Sequence, residues 1–329
     1  LTHTYEEDIK MPAPKVITLA PTALDRNGIS ASETLAAARL SLIIGGALSA
    51  GFDRDGICAA QTPTGADAMT LNGALGVDFK DRKGIYVLVY AGGNESGRTF
   101  TVVGQNANGD RITEAITGPN ALTVLGTTKF YHITSVTPDA ATAGAVEVGV
   151  NGYAEFSTPQ HVAIYNAGDD RGDTFTVHGY DRYGNEVTDA ITGANAGTST
   201  TQNQNFAWVD RVTSDGASAA AVEVGTDGKC ESGWYILNYR GQRCTANVGC
   251  TIGTSGTQTM TYALQHTFSN VLANGFLEEE AIRFTHATIT GKSANFEGII
   301  DNPPVAVRLA MTAFTAGSAS ATIVQITTS

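Results

Sequence analysis

The chain repeats itself. Residues 97–121, GRTFTVVGQNANGDRITEAITGPNA, return as residues 172–196, GDTFTVHGYDRYGNEVTDAITGANA, at a constant offset of 75 with 14 of 25 positions identical. Further pairs are conservative, among them Asp110/Asn185, Ile112/Val187 and Glu114/Asp189. After one inserted residue the echo goes on: Phe130-Tyr-His-Ile133 matches Phe206-Ala-Trp-Val209, and Ala145-Val-Glu-Val-Gly149 recurs as Ala221-Val-Glu-Val-Gly225. Solenoid units run to about 20–50 residues, so a longer repeat predicts two copies of a small domain.

Composition agrees with strands. Of 329 residues 37 are glycine and only 16% are charged, with threonine and valine abundant. β-Branched residues suit a pleated surface, and glycine supplies the turns between short strands. The net charge of −12 argues against nucleic acid and against an anionic membrane surface, both of which call for basic patches. Glu6, Glu7 and Asp8 stand where a secretory signal carries positive charge, so none is expected. The longest apolar stretch, residues 40–51, is too short to span a bilayer and reads as a buried strand or helix-to-strand segment. Cys230, Cys244 and Cys250 follow no zinc spacing; a Cys230–Cys244 or Cys244–Cys250 disulfide and free buried thiols are both open, and Cys58 has no evident partner.

Along the chain, residues 1–50 show little periodicity and read as an N-terminal arm or anchor, although Ser30 and Glu33 have capping-box spacing for a short helix through Ala38. Residues 51–83 form a β-rich lead-in, and Ile44-Gly-Gly-Ala-Leu48 has a weak echo in Leu71-Asn-Gly-Ala-Leu75, read as two strands around a turn. Residues 84–152 and 153–228 are the two repeats. In the first, strands are predicted over 85–90, 99–103, 111–117, 131–136 and 145–150, with the Asn108-Gly109 hairpin signal between the second and third. Residues 151–160, with Pro159, read as a linker. Such spacing implies small sandwiches of immunoglobulin-like character. Residues 229–329 form a different C-terminal sandwich, with strands expected over 233–239, 257–268, 282–289, 305–311 and 321–326 and a jelly roll as one candidate. The fold class is all-β. Phe100/Phe175, Val102/Val177 and Ile116/Ile191 are the expected core.

Chemical motifs are weak. Gly291-Lys292-Ser293 lacks the upstream glycine and following helix of a phosphate loop. Arg171-Gly172-Asp173 spells an integrin tripeptide, but Gly172 aligns with Gly97 and reads as a turn glycine. Asp53–Gly56, Asn106–Asp110 and Asp181–Gly184 faintly resemble calcium loops and read more simply as Asx-turns. Glu278-Glu-Glu280 reads as a solvated turn or else a contact between subunits. His3, His132, His161, His178, His266 and His286 show no metal-site spacing, although His266 and His286 could meet in space. No GxSxG elbow frames a serine. No catalytic, cofactor-binding or metal residue is assigned, and no cofactor is expected.

The phrase TFTVxGxxxxGxxxTxAITGxNA with its Ala-Val-Glu-Val-Gly ending resembles repeats in virion structural proteins of tailed bacteriophages. Residues 57–73 are similar to the lead-in of such proteins. Gln265–Asn270, His286–Gly291 and Pro304–Leu309 are similar to their C-terminal modules. The resemblance implies a non-enzymatic capsid decoration, head spike or neck protein, assembled in host cytoplasm into the virion. Its partners would be major capsid, neck or tail proteins and further copies of itself, as a trimer or higher ring. Tail or baseplate components with receptor- or glycan-binding loops are the alternative. A glycan-active enzyme, a carbohydrate-binding module and a surface adhesin come from other classes.

Overall fold

The computed structural model describes residues 15–20, 25–35, 41–201, 204–237, 244–254, 257–273, 276–301 and 304–327. Among them are strands and two short 3-10 turns, at Lys80–Arg82 and Glu278–Glu280, and no α-helix. The first strands are β1 (Lys15–Leu19), β2 (Asp25–Glu33), β3 (Ser41–Leu42), β4 (Ser49–Ala50) and β5 (Asp53–Gln61). The first repeat holds β6 (Ile85–Ala91), β7 (Thr99–Gln105), β8 (Arg111–Thr117), β9 (Thr123–Phe130), β10 (His132–Pro138) and β11 (Val146–Val150). The second holds β12 (Tyr153–Asn166), β13 (Thr174–Tyr180), β14 (Glu186–Thr192), β15 (Thr198–Thr200), β16 (Phe206–Ser214) and β17 (Val222–Glu231). Then come β18 (Tyr235–Ile236), β19 (Cys244–Ile252), β20 (Thr259–Thr267), β21 (Phe284–Thr285), β22 (Phe296–Ile300), β23 (Ala306–Ala316) and β24 (Ala319–Thr327).

One pairing rule governs three units. In the second-repeat unit the strands, in chain order, are β2, β3, β12, β13, β14, β15, β16 and β17. First pairs with last (β2–β17), second with seventh (β3–β16), third with sixth (β12–β15) and fourth with fifth (β13–β14). The eighth then joins the third (β17–β12), and the seventh joins the fourth (β16–β13). The C-terminal unit obeys the same rule with β1 and β18 to β24: β1–β24, β18–β23, β19–β22, β20–β21, then β24–β19 and β23–β20. The first-repeat unit pairs β5–β11, β6–β9, β7–β8, β11–β6 and β10–β7. Irregular backbone takes the place of its second strand, and Met69 N–H donates to Val136 O at 2.8 Å and Phe79 N–H to Tyr131 O at 2.9 Å. The seventh regular strand, β11, lies between β5 and β6. In an immunoglobulin domain it would lie beside the sixth.

Each unit therefore begins with a strand from the first 61 residues, and the units are nested. The chain lays down the first strand of the C-terminal unit, then the opening strands of the second-repeat unit, then the whole first-repeat unit. It afterwards completes the second and finally the third. Leu19 lies in the C-terminal core, and Ile29, Leu35, Leu42 and Ile44 lie in the second-repeat core. Ile57, Met69 and Phe79 lie in the first. This corrects the expectation of an arm over 1–50: residues 25–33 and 41–50 look aperiodic because their strands are short and interrupted, yet their apolar side chains are core. Residues 1–14 lie outside the described residues.

Other local expectations change in the same way. Ser30 and Glu33 do meet, Ser30 Oγ donating to Glu33 Oε1 at 3.1 Å, but within a strand, because Glu33 also accepts Ile43 N–H at 2.9 Å. The continuation of that expected helix, residues 36–40, lies outside the described residues. The 44–48 and 71–75 echo is a pair of equivalent turns. Leu48 N–H donates to Gly28 O at 2.6 Å and Leu75 N–H to Gly56 O at 2.9 Å. The expected linker is the first half of the 14-residue β12. In the C-terminal unit, β19 and β22 fall outside the strands expected there, and the run 282–289 holds only the two-residue β21.

The turn equivalence exposes a second repeated phrase, Asp25-Arg-Asn-Gly-Ile29 and Asp53-Arg-Asp-Gly-Ile57. Arg26 pairs with Glu223 and lies 5.3 Å from the Tyr165 ring; Arg54 pairs with Glu147 and lies 4.0 Å from the Tyr90 ring. The glutamate of each Ala-Val-Glu-Val-Gly ending thus clips the first strand onto the eighth. The following glycine permits that approach: a Cβ at Gly149 would stand 1.9 Å from Asp53 O, and one at Gly225 would stand 1.8 Å from Asp25 O. Phe100, Phe175, Val102 and Val177 are fully buried, with Ile116 and Ile191 nearly so.

Ile29→Ala is expected to destabilise the protein by about 2–5 kcal/mol, the usual cost of truncating a buried isoleucine. A urea melt checks it, and an unchanged midpoint would mean that residues 25–50 are an appendage.

Candidate functional site at the seams

The most elaborate polar chemistry lies where units meet. At the first seam Lys129, at the end of β9, reaches the second-repeat unit. Its Nζ donates to Asp210 Oδ2 at 2.6 Å and to the Tyr180 hydroxyl at 3.1 Å, and Tyr180 in turn donates to Glu186 Oε1 at 2.9 Å. Both members of the Lys129–Asp210 pair are largely buried. Burial alone would lower the Lys129 pKa, but Asp210, with Tyr86 and Tyr180, more than offsets it and holds the ammonium above its ordinary value. Lys83 stands over the rings of Tyr180 and Trp208 at 4.8 and 4.7 Å, and Tyr153 stacks on Trp208 at 3.9 Å. The junction residue Asn151 is buried and bonds both ways, accepting Ile44 N–H at 2.9 Å and donating to Asp210 O at 3.2 Å.

The second seam uses the same hairpin of the second repeat, between β13 and β14. Arg182 pairs with Glu278 at 3.0 Å, and the Tyr183 hydroxyl also meets Glu278. Fully buried Arg308 pairs with Glu231 at 2.6 Å, donates to Gln265 at 2.8 Å and lies 4.6 Å from the Trp234 ring. Asn205 donates to the same Glu231 carboxylate at 2.7 Å. Burial pushes the Arg308 pKa down to about 10 and raises that of Glu278. Backbone pairing crosses this seam too, since the end of β17 pairs with β23 through Cys230 and Glu231. One hairpin, from Tyr180 to Glu186, therefore holds both neighbouring units.

The residues singled out in the sequence are distributed otherwise. Glu278 is buried in an ion pair rather than on a solvated turn, because Arg182 arrives from another unit to neutralise it. Gly291–Lys292 bridges to Tyr262, with Lys292 N–H donating to Tyr262 O at 2.9 Å, a strand contact rather than a phosphate cradle. Arg171 is held on Asp169 by two bonds of 2.7 and 2.8 Å within an exposed turn. Asn106 and Asp181 accept backbone N–H groups two and four residues on, making Asx-turns, and Asp53 likewise accepts Asp55 N–H. His266 and His286 do come close, and burial followed by the charge of His286 lowers the His266 pKa. Among the described residues no group of three or more His, Cys, Asp and Glu side chains gathers to hold a metal. Cys58, Cys230 and Cys250 are free, buried thiols; burial raises Cys58 and Cys230 to about 12 and Cys250 to about 11. The Cys244 side chain lies outside the described residues. No helix among the described residues is long and apolar enough to cross a membrane.

Sequence reasoning missed Lys129, Asp210, Glu231 and Arg308. The available signal was divergence inside the repeat: Lys129 and Asn205 hold one repeat position, before Phe130 and Phe206, and both sit at a seam. Neither a scan against protein-family models nor a search of curated proteins finds a match to this chain.

Lys129→Ala strands Asp210 in a buried seam and is expected to cost about 3–5 kcal/mol, whereas a Lys129→Met/Asp210→Leu double variant costs less; a double-mutant cycle of urea midpoints checks the pair. His178, beside this seam, is lowered from 6.5 to about 4 by burial, with Arg211 and Lys129 adding to it. The unfolded chain then binds more protons below pH 6.5. The contribution of this histidine is complete above that pH and is lost as pH falls towards 4. Urea midpoints between pH 7 and 4 are expected to fall more steeply for the wild type than for His178→Gln.

Proposed function

We propose that this chain is a non-enzymatic structural protein of a tailed-phage virion, a decoration or spike on the head or a component of the neck. The observation that carries the reading is the joining of three like-paired sandwiches by buried ion pairs and, at the second seam, by the pairing of β17 with β23, with connections of only two residues from β11 to β12 and three from β17 to β18. Such a body suits load-bearing and attachment. The rolled pairing, first strand to eighth and second to seventh, is that of a jelly roll, an architecture used by viral capsid proteins, lectins and cupins. Fold alone does not choose among those uses. The choice rests on the repeated TFTVxG…ITGxNA phrase and its resemblance to phage virion repeats. An acidic surface suits the outside of a shell better than its DNA-facing interior. Since residues 25–33 and 41–50 belong to the sandwiches, attachment uses a face of the folded units rather than that stretch of chain.

Quantitative mass spectrometry of purified particles tests this. Copies comparable in number to the major capsid protein mean a decoration that covers the shell, and a handful of copies mean neck or tail. Absence from particles would end the structural reading.

A further inference from the structure

We propose that copies of this chain join head to tail through their C-terminal units, an apolar knob on one copy entering an aromatic-lined groove on the next. This rests on the virion reading above, whose resemblance implies assembly with further copies of the chain, and names the contact that makes it.

The groove lies at the second seam. It is a cavity of about 550 Å³ bounded by Tyr183, Asn185, Trp234, Ile236, Leu272 and Phe276. That volume falls within the range of sites that take up a bulky ligand, about 300–1,000 Å³. Among the described residues no charged side chain lines it. Trp234 is backed by the Arg308 guanidinium, while Leu272 and Tyr183 are exposed at the rim.

The knob is built by Phe268, Ile282 and Phe284, which are 61%, 68% and 45% exposed. Phe268 and Phe284 touch edge to face at 5.8 Å, and each touches the His266 ring. Isolated exposed apolar residues are ordinary, but a contiguous cluster marks a contact surface.

Strand parity puts knob and groove on opposite faces of one sheet. Tyr262 and Leu264 point into the C-terminal core, so His266, two residues on, shares their face, and Phe284 is its cross-strand partner. On β23, paired with β20, Val307 faces that core while Ala306 faces the cluster with Trp234, Ile236, Val271 and Phe276. A copy therefore cannot fill its own groove with its own knob. Knob against knob would bury one surface and leave the groove open, whereas knob into groove uses both. The result is a heterologous contact, which closes into a ring when the rotation allows.

Charge supports a second copy as the occupant. A chain of net charge −12 repels its own kind over most of its surface. From Glu278 to Ile300 the charged residues are Glu278, which Arg182 neutralises, then Glu279, Glu280, Arg283, Lys292 and Glu297, close to balance, so like chains approach here with little of that repulsion.

The test is the molar mass of the purified full chain by size exclusion with light scattering across a wide concentration range. A multiple of 34.2 kDa is expected. Phe284→Glu on the knob and Leu272→Glu on the groove rim should each weaken association by at least about 30-fold, the size of a hot-spot loss. Both residues are exposed; a variant with an altered melting transition is replaced by Ile282→Glu for the knob or Leu272→Ser for the groove. An equal mixture of a knob variant and a groove variant should form a two-chain species, because one intact knob and one intact groove remain. A wild type that stays monomeric overturns the proposal, as do variants that stay fully assembled or a mixture that stays monomeric. The protein's presence in particles is a separate measurement, so failure here and failure of the virion reading are distinguishable.

Discussion

Closure of each sandwich by its first and eighth strands is the constraint on which the rest depends. β1 pairs with β24 through Lys15 and Ile323, so the two ends of the described chain are neighbours in one sheet. The second-repeat unit lies inside that closure, since β2 meets β17 through Ser30 and Val224. The first-repeat unit lies inside both. Long-range antiparallel pairing of this kind is entropically slow to form, because the loops must close before the contacts form. Nesting reduces that difficulty: once the inner unit has folded, the strands flanking it are already brought together. Asn151 shows the device locally, tying the exit of the first-repeat unit to Ile44 on the entry side and to Asp210 ahead.

The seams follow from the same arrangement. Units stacked in this way cannot share one apolar core, because each sandwich already buries its own between two sheets. What remains for the contacts is the rims, which are made of hairpin turns, strand ends and the irregularity of β16 at Asp210. These carry the charged and aromatic residues that turns tolerate, and once two rims meet those residues lose water and must find partners. Lys129 finds Asp210, and Arg308 finds Glu231. The Tyr180–Glu186 hairpin takes part in both seams, so a change there is felt by all three units.

Much of the repeat was legible because it is local. The alternation in Thr99-Phe-Thr-Val-Val103 and its copy places Phe100, Val102, Phe175 and Val177 inside, and side-chain direction in a strand depends only on neighbours one and two residues away. The Asn-Gly and Tyr-Gly turns likewise announce themselves. The phrase Asp-Arg-x-Gly-Ile was equally visible at 25–29 and 53–57, but nothing local says that its arginine meets a glutamate 197 residues later in one copy and 93 in the other. Glu278 shows the opposite error. It stands in a run of three glutamates that reads as solvated until Arg182 is brought to it.

The sequence by itself determined that the chain is β throughout, that two of its units are copies, and which alternating residues form their cores, because these depend on periodicity and turn chemistry. Only the tertiary structure decided that the opening strands belong to units far along the chain and that the unrepeated C-terminal unit obeys the same pairing rule. It also decided which charges are buried at the seams. Strand partners are chosen by register and by edges that must be closed, and those are properties of the assembled sheet rather than of any stretch of residues.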